Sequence, residues 1–226
     1  MKKSAGNYSS LFLYMSAAFV SCLMLSNLTA GKLISVFGIV LPAAVILFPI
    51  TYVLGDIFTE VYGFKAARKI IWCGFSCNLL AVLIYVATIA LPYPDYWTNQ
   101  DAYETVLGTT PRIFAASLIG YLFGEFLNSA VLSKMKVATN GKWLWLRTIL
   151  SSVIGEGFDT LIFITIAFYG IYEVPIIRKM IFFQYIWKLC YEAVLTPLTC
   201  FIINRVKKYE GVDVYDIGEK YNPFGR

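Results

Sequence analysis

The sequence predicts an all-α integral membrane protein: a single bundle of six transmembrane helices with both termini in the cytoplasm. Three observations carry that expectation. Of 226 residues, 58% are apolar and only 15% charged, whereas a soluble domain carries roughly a quarter charged residues. The apolar residues fall into six runs long enough for a hydrocarbon core, which takes ~20 helical residues. The basic residues are sorted by loop rather than gathered into one surface stripe, so the net charge of +5 does not point to nucleic acid.

The spans lie near 11–31, 39–58, 68–91, 112–134, 145–170 and 176–204, followed by a tail over 205–226. The first follows Met1-Lys2-Lys3 as a signal peptide would, but its apolar run continues to about Ala30 without a small-x-small cleavage site, so it reads as a retained span. The second carries Pro42 and Pro49 and reads as a kinked helix whose freed carbonyls need neighbouring donors. Between the third and fourth, residues 92–111 form the one sizeable loop; its Tyr and Trp residues suit the membrane interface, and it is placed to cover a site. With the N-terminus inside, fourteen of the nineteen basic residues are cytoplasmic, four are outside and Lys188 is left mid-span. That is a clear positive-inside bias.

The most informative feature is a polar pattern that occurs twice in apolar surroundings. Gly120-x-x-x-Gly124-Glu125-x-x-Asn128 recurs as Ser151-x-x-x-Gly155-Glu156-x-x-Asp159. Side chains three apart share a helix face, and an ionisable group in lipid costs about 2.5–3.5 kcal/mol on insertion scales. Helical rise puts Glu125 roughly 20 Å below Arg112, Asp159 about 21 Å from Trp145, and Lys188 roughly 18 Å into the last span. Gln184, Lys188 and Glu192 share a face of that span, and Asn27 approaches from the first. Polar atoms thus converge near the midplane, where transporter substrate sites lie. Glu125, Asn128, Glu156, Asp159, Gln184, Lys188 and Asn27 are therefore the candidate substrate-binding set. Lys188 needs a partner, which Glu156, Asp159 or Glu192 can supply.

Asp56 and Glu60 share a face at the inner end of span two, beside Lys65, Arg68 and Lys69. An ion-pair network would explain them; gating or coupling, with Arg68, Arg147 and Glu192, is the sharper reading. Of the dense aromatics, those beside the polar cluster could sandwich a flat ring, and each base–aromatic stack contributes ~1–3 kcal/mol. A carboxylate between ring faces suits a guanine-like edge, whose N1–H and exocyclic amine donate side by side, with amides serving the adjoining carbonyl.

Other chemistry is poorly supported. There is no histidine, and five cysteines in apolar runs make no zinc pattern, so no metal or cofactor is expected. No nucleophile–base pair stands out, so no enzyme activity is expected. No phosphate-binding Gly-x-x-x-x-Gly-Lys-[Ser/Thr] loop occurs, so ATP drive would need a separate energising module. The spacings Gly120/Gly124 and Ser151/Gly155 permit close helix contact within or between chains, which leaves a homodimer open.

Taken in order, several runs resemble the queuosine precursor transporters of the vitamin uptake transporter group. They are Phe48-Pro49-Ile50-Thr51-Tyr52-x-x-Gly55-Asp56-x-x-Thr59-Glu60-Val61-Tyr62-Gly63 with Ala67-Arg68, Trp145-Leu146-Arg147 with Ser151–Asp159, Ile166-Ala167-Phe168-Tyr169-Gly170, Gln184-x-x-x-Lys188 ahead of Pro197, and the tail runs Asp213-Val214-Tyr215-Asp216 and Asn222-Pro223-Phe224. The resemblance implies a fold similar to the substrate-binding subunits of energy-coupling-factor transporters. It also implies uptake of a 7-deazaguanine, such as queuine or its aminomethyl or cyano precursors, across the bacterial inner membrane. The group's Gln-x-x-Asp pairs correspond here to Glu125-x-x-Asn128 and Glu156-x-x-Asp159. A substrate-binding subunit for another flat vitamin, working with an ATPase module, is the alternative.

Overall fold

The structure, a computed structural model, describes residues 9–29, 32–36, 39–108 and 111–224. Lys2, Lys3 and Arg226, counted in the charge argument, lie outside the described residues, as do 30 and 31 of the first predicted span and 109 and 110 of the loop. Helix α1 (Ser10–Thr29) buries one stripe, Phe12, Met15, Phe19, Leu23 and Ser26, at helical three-and-four spacing. On its other side Leu13, Tyr14 and Leu25 are exposed. That is stable where the surrounding medium is as apolar as leucine itself.

The first half of predicted span two is not helical. Leu33–Val36 (β1) and Ile39–Pro42 (β2) pair antiparallel, Leu33 opposite Pro42 and Val36 opposite Ile39. A 3-10 turn, Ala43–Ile46, follows, and helix α2 runs only from Phe48 to Tyr62. The two prolines account for the correction. The residue before a proline is pushed into extended conformation, so Pro42 ends a strand rather than kinking a helix. Pro49 sits in the first turn of α2, where a missing N–H leaves no bond unmade. At ~1.5 Å per residue α2 is roughly 22 Å long, short of a ~30 Å core. Non-helical backbone is tolerated at such depth only where protein or a cavity surrounds it; Ala44, fully buried, borders the cavity described below.

Helix α2 is the hub of the bundle. Asp56, Ile57, Phe58, Thr59, Glu60 and Val61 are each at most 1% exposed, so this part of the helix is enclosed on all sides. Around it stand α1, α3 (Phe64–Ala90), α5 (Pro111–Ala138) and α7 (Val174–Glu210). Phe12, Phe19, Phe58, Ala67, Ile70 and Ile203 bring α1, α2, α3 and α7 into one apolar core. The predicted loop over 92–111 contains a short helix, α4 (Gln100–Leu107). Helix α6 (Leu144–Phe168) packs along α5, and α7 continues six residues past the predicted end of the last span to Gly211, whose left-handed φ of 64° closes it.

Five helices, α1, α3, α5, α6 and α7, are long and apolar enough to cross a membrane; with the shorter α2 they make the bundle. The described ends of the chain lie at one face. Phe12 rests on Phe58 and Tyr62, with ring centroids 5.3 and 4.8 Å away, and the Val214 amide donates to the Val61 carbonyl at 3.1 Å. Beyond α7 the tail is strapped across that face. Asp216 Oδ2 accepts from the Phe64 amide at 2.8 Å and from Ser133 Oγ at 2.5 Å, while Arg68 and Trp72 donate to the Asn222 and Pro223 carbonyls, each at 2.9 Å. Gly63 (φ 84°) leaves room for this strap: a Cβ there would stand 2.7 Å from Val214 Cγ1.

Candidate functional site

The two polar repeats face each other across the α5–α6 contact. A Cβ on Gly124 would lie 2.8 Å from Asp159 Cβ, and one on Gly155 would lie 2.7 Å from Asn128 Cβ. Each glycine therefore receives the polar residue of the other repeat. Gly120 does the same for Asp159 Oδ1, at 2.8 Å. Close approach through small residues is how helices pack where no hydrophobic force drives them together.

That contact forms one wall of a cavity of about 120 Å³ bordered by all six principal helices. Its volume is of the same order as the ~150 Å³ of an apolar cavity that admits benzene. Of the predicted binding set, Asn27, Glu125, Asp159, Gln184 and Lys188 border it. Lys188 Nζ meets Asp159 Oδ2 at 2.5 Å and donates to Tyr52 Oη at 3.5 Å. Glu125 is 5% exposed, its Oε2 has no hydrogen-bond partner among the described residues, and it rests 3.1 Å from where a Gly55 Cβ would be. Tyr52, Phe114, Tyr121 and Phe163 supply the aromatic lining.

Asn128 and Glu156 do not border the cavity. Asn128 turns to α2 and donates to Asp56 Oδ1 at 2.9 Å; Glu156, 2% exposed, is buried behind the lining with Oε2 unpartnered among the described residues. Asn78, which is not in the candidate set, is 2% exposed at the cavity edge. It accepts from Asn27 Nδ2 at 2.6 Å and donates to the Gly74 carbonyl at 2.9 Å. Ser117 Oγ donates to Asn27 Oδ1 at 3.2 Å, which completes a polar chain along the cavity wall. An asparagine in mid-span was the signal for it. Tyr52, Phe114 and Tyr121 were also missed, while Phe123, Phe158 and Tyr169 are exposed on the outer surface. The loop helix α4 borders only a smaller cavity of about 20 Å³ beside Asn27 and Asn78, through Val106 and Leu107.

At the tail face Glu60 is fully buried in an ion-pair network. Arg147, also fully buried, holds it through two nitrogens at 2.5 and 3.1 Å, and Lys207 Nζ meets it at 2.6 Å. Lys136 Nζ donates to the Glu60 carbonyl at 2.5 Å and pairs with Asp213 of the tail at 2.5 Å. Lys207 reaches Asp213 too, at 2.9 Å. Burial opposes the charge on Asp213, but hydrogen bonds from Lys136 and Lys207 outweigh it and hold the carboxyl below its usual range. The neighbours of Glu60 in sequence turn elsewhere: Lys65 pairs with Glu219 and Arg68 binds the Asn222 carbonyl. Glu192, 4% exposed, lies off the cavity on α7.

Polar groups of several helices thus meet at one mainly apolar cavity, and the tail clamps one end of the bundle. The family model described as "Putative vitamin uptake transporter" matches residues 42–202. The chain belongs to this vitamin uptake transporter family. It is 28% identical over 188 residues to a "Probable queuosine precursor transporter" of Bacillus subtilis, covering 83% of this chain and 80% of that protein. It is 27% identical over 162 residues to the "Queuosine precursor transporter" of Escherichia coli, covering 72% of this chain and 70% of the relative. No solved structure matches it. The family and its apolar helices make this vitamin uptake transporter relative a multi-pass protein of the cell membrane, and the relatives named are transporters rather than enzymes.

Proposed function

We propose that this transporter imports a queuosine precursor, a 7-deazaguanine, and that the α5–α6 cavity holds it. The observation that carries the reading is Glu125: a carboxyl group with one oxygen unpartnered among the described residues, bordering a cavity that also holds an ammonium, a carboxamide and four aromatic rings. In this reading Glu125 accepts the N1–H and exocyclic amine of the base. Gln184 and Lys188 serve its carbonyl oxygen, and Asp159 holds Lys188 in place. Asn27, fixed by Asn78, reads the other end, and the rings of Tyr52 and Phe163 stack on the heterocycle. Asn128 and Glu156 support the lining from behind. In this reading the tail face is cytoplasmic, which the positive-inside charge pattern supports.

The test is binding and uptake by the purified chain. Ligand that binds only the folded state adds RT ln(1 + [L]/Kd) to its stability and so raises its melting temperature; 7-deazaguanines are expected to stabilise it and adenine is not. Glu125→Gln and Asp159→Asn are expected to lose both stabilisation and uptake while remaining folded. Wild-type uptake by both variants would sink the assignment. Uptake that requires a co-purifying ATPase pair would favour the module-driven alternative.

A further inference from the structure

We propose that transport is coupled to protons, and that Asp56 is the carboxyl group that binds and releases the coupled proton. This rests on the reading of the chain as a carrier, and it does not depend on which base is carried.

The first support is a polar seam between α2 and α5 that leaves the cavity and ends at the tail face. Gly55 meets Glu125; Asp56 Oδ1 accepts from Asn128 at 2.9 Å; Thr59 Oγ1 bonds Ser129 Oγ at 3.0 Å; Glu60 meets Lys136. On α2 these residues lie within six positions, five steps or about 7.5 Å of helix. The second support is a shortage of cations. Asp56, Glu125, Glu156 and Glu192 are all at most 5% exposed, and none makes an ion pair among the described residues. Lys188 pairs with Asp159 and is the single ammonium among the described residues that also faces Glu156 and Glu125 electrostatically, while Arg147, Lys136 and Lys207 are committed to Glu60 and Asp213. Unpaired buried carboxylates are costly enough that such a set holds protons as well.

Asp56 is singled out by its position. It is 1% exposed and does not border the cavity, so the base need not touch it. Asn128 anchors one oxygen whether the group is charged or neutral. The other, Oδ2, is buried without a partner among the described residues and is where a proton can sit. Glu125 of α5, Glu192 and Cys200 of α7, and Glu60 of α2 face it electrostatically. Helix α1 brings no charge, and at the start of α3 Lys65 and Arg68 are held by the tail while Lys69 is exposed. An O–H bond forms at Asp56 with a proton arriving through the cavity from outside. It breaks when the Glu60 cluster parts, and the proton leaves to the cytoplasm. While closed, the three cations of that cluster repel a proton and prevent leakage.

Two measurements on the full chain in lipid vesicles test this. The first is accumulation of a labelled 7-deazaguanine under an inward gradient of one pH unit, which sustains about tenfold accumulation at one proton per base. Wild type is expected to accumulate; Asp56→Asn is expected to retain gradient-free exchange of the base but accumulate none. Accumulation by wild type that ignores the pH gradient, or by Asp56→Asn at the wild-type level, overturns the proposal. The second is infrared difference spectroscopy without substrate. The carbonyl stretch of a protonated carboxyl group, titrating with pH, is expected to lose intensity in Asp56→Asn; a band unchanged in that variant overturns the proposal. If wild type exchanges no 7-deazaguanine, the substrate reading fails and the infrared result still decides the proton site. If Asp56→Asn does not fold, Asn128→Leu replaces it: removing the donor to Asp56 is expected to move the titration of the band, and an unmoved titration overturns the proposal.

Discussion

Glu60→Gln is the most direct test of how the tail face is held. The substitution keeps the shape of the side chain and removes its charge. Arg147, with no exposed surface, then loses its charged partner and keeps as acceptors one amide oxygen and the Lys142 and Gly141 carbonyls, at 2.9 and 3.1 Å. Removing one partner of a buried pair costs about 3–5 kcal/mol, because the remaining charge is left uncompensated. The two carbonyls place this case near the lower figure. At ~2–4 °C per kcal/mol for a chain of this size, about 3 kcal/mol lowers the melting temperature by roughly 6–12 °C. Intrinsic tryptophan fluorescence in detergent reads the change. Lys65→Ala is the control: its pair with Glu219 has a lysine that is 66% exposed, and such surface pairs contribute ~0–1 kcal/mol. Glu60→Leu with Arg147→Met removes both charges together and is expected to recover part of the loss, as buried pairs replaced by apolar residues often do. A Glu60→Gln protein that melts within ~2 °C of wild type would show that the network does not hold the fold.

The other predictions address the wall, the polar chain, the lysine and the strap. Gly124→Val would drive a side chain into Asp159 Cβ, 2.8 Å from the first added carbon; overpacking costs about 1–3 kcal/mol, and uptake is expected to fail, as vesicle transport would show. Asn78→Leu deprives Asn27 Nδ2 of its acceptor, and an unsatisfied buried donor costs ~1–3 kcal/mol; thermal-shift titration should show affinity for the base falling by about tenfold, which is 1.4 kcal/mol. Lys188→Met strips Asp159 of its partner and is expected to abolish base binding, whereas Lys188→Met with Asp159→Asn is expected to regain wild-type melting without regaining binding. For Asp213 the folded-state value is lowered, so its contribution is complete above the ordinary carboxylate value of ~3.9 and disappears as pH falls through its own lower value. Hydrogen exchange at the Val214 amide should accelerate over that acid range in wild type, and Asp213→Asn should exchange fast throughout.

The long spans were legible because hydrocarbon demands long apolar helices, and residues 68–91, 112–134 and 145–170 lie within or against α3, α5 and α6. Span two was misread because Pro42 and Pro49 look alike in sequence. Whether a proline ends a strand or opens a helix depends on what surrounds it, and here that is a cavity bordered by Ala44. The cavity residues Asn27, Glu125, Asp159, Gln184 and Lys188 were legible from the cost of polarity at depth. Asn78 was equally polar and equally deep, but it stands alone in α3 without a repeat to draw attention to it. Tyr52 and Tyr121 carry no such signal, since aromatics also face lipid. The partners of Glu60 could not be read locally. Lys65 and Arg68 are its near neighbours in sequence, yet Arg147 and Lys207 arrive from 87 and 147 residues away.

The repeat itself shows how matched sequence acquires unmatched roles. Gly124 and Gly155 exchange neighbours symmetrically, each receiving the polar residue four positions beyond the other, so the α5–α6 contact alone treats Asn128 and Asp159 as equivalents. What differs is the third helix each one meets. Asn128 faces α2 and donates to Asp56, while Asp159 faces α7 and accepts from Lys188. An amide suits the first position because Asp56 needs a donor, and a carboxylate suits the second because Lys188 needs an acceptor. Exchanging the two residues, Asn128→Asp with Asp159→Asn, would keep the composition and the glycine contacts. It would also set two carboxyls together at Asp56 and leave Lys188 without its carboxylate partner. If the pairing with α2 and α7 sets these identities, that double variant should melt lower than wild type and bind no base, while either wild-type residue restored alone should recover only its own contact.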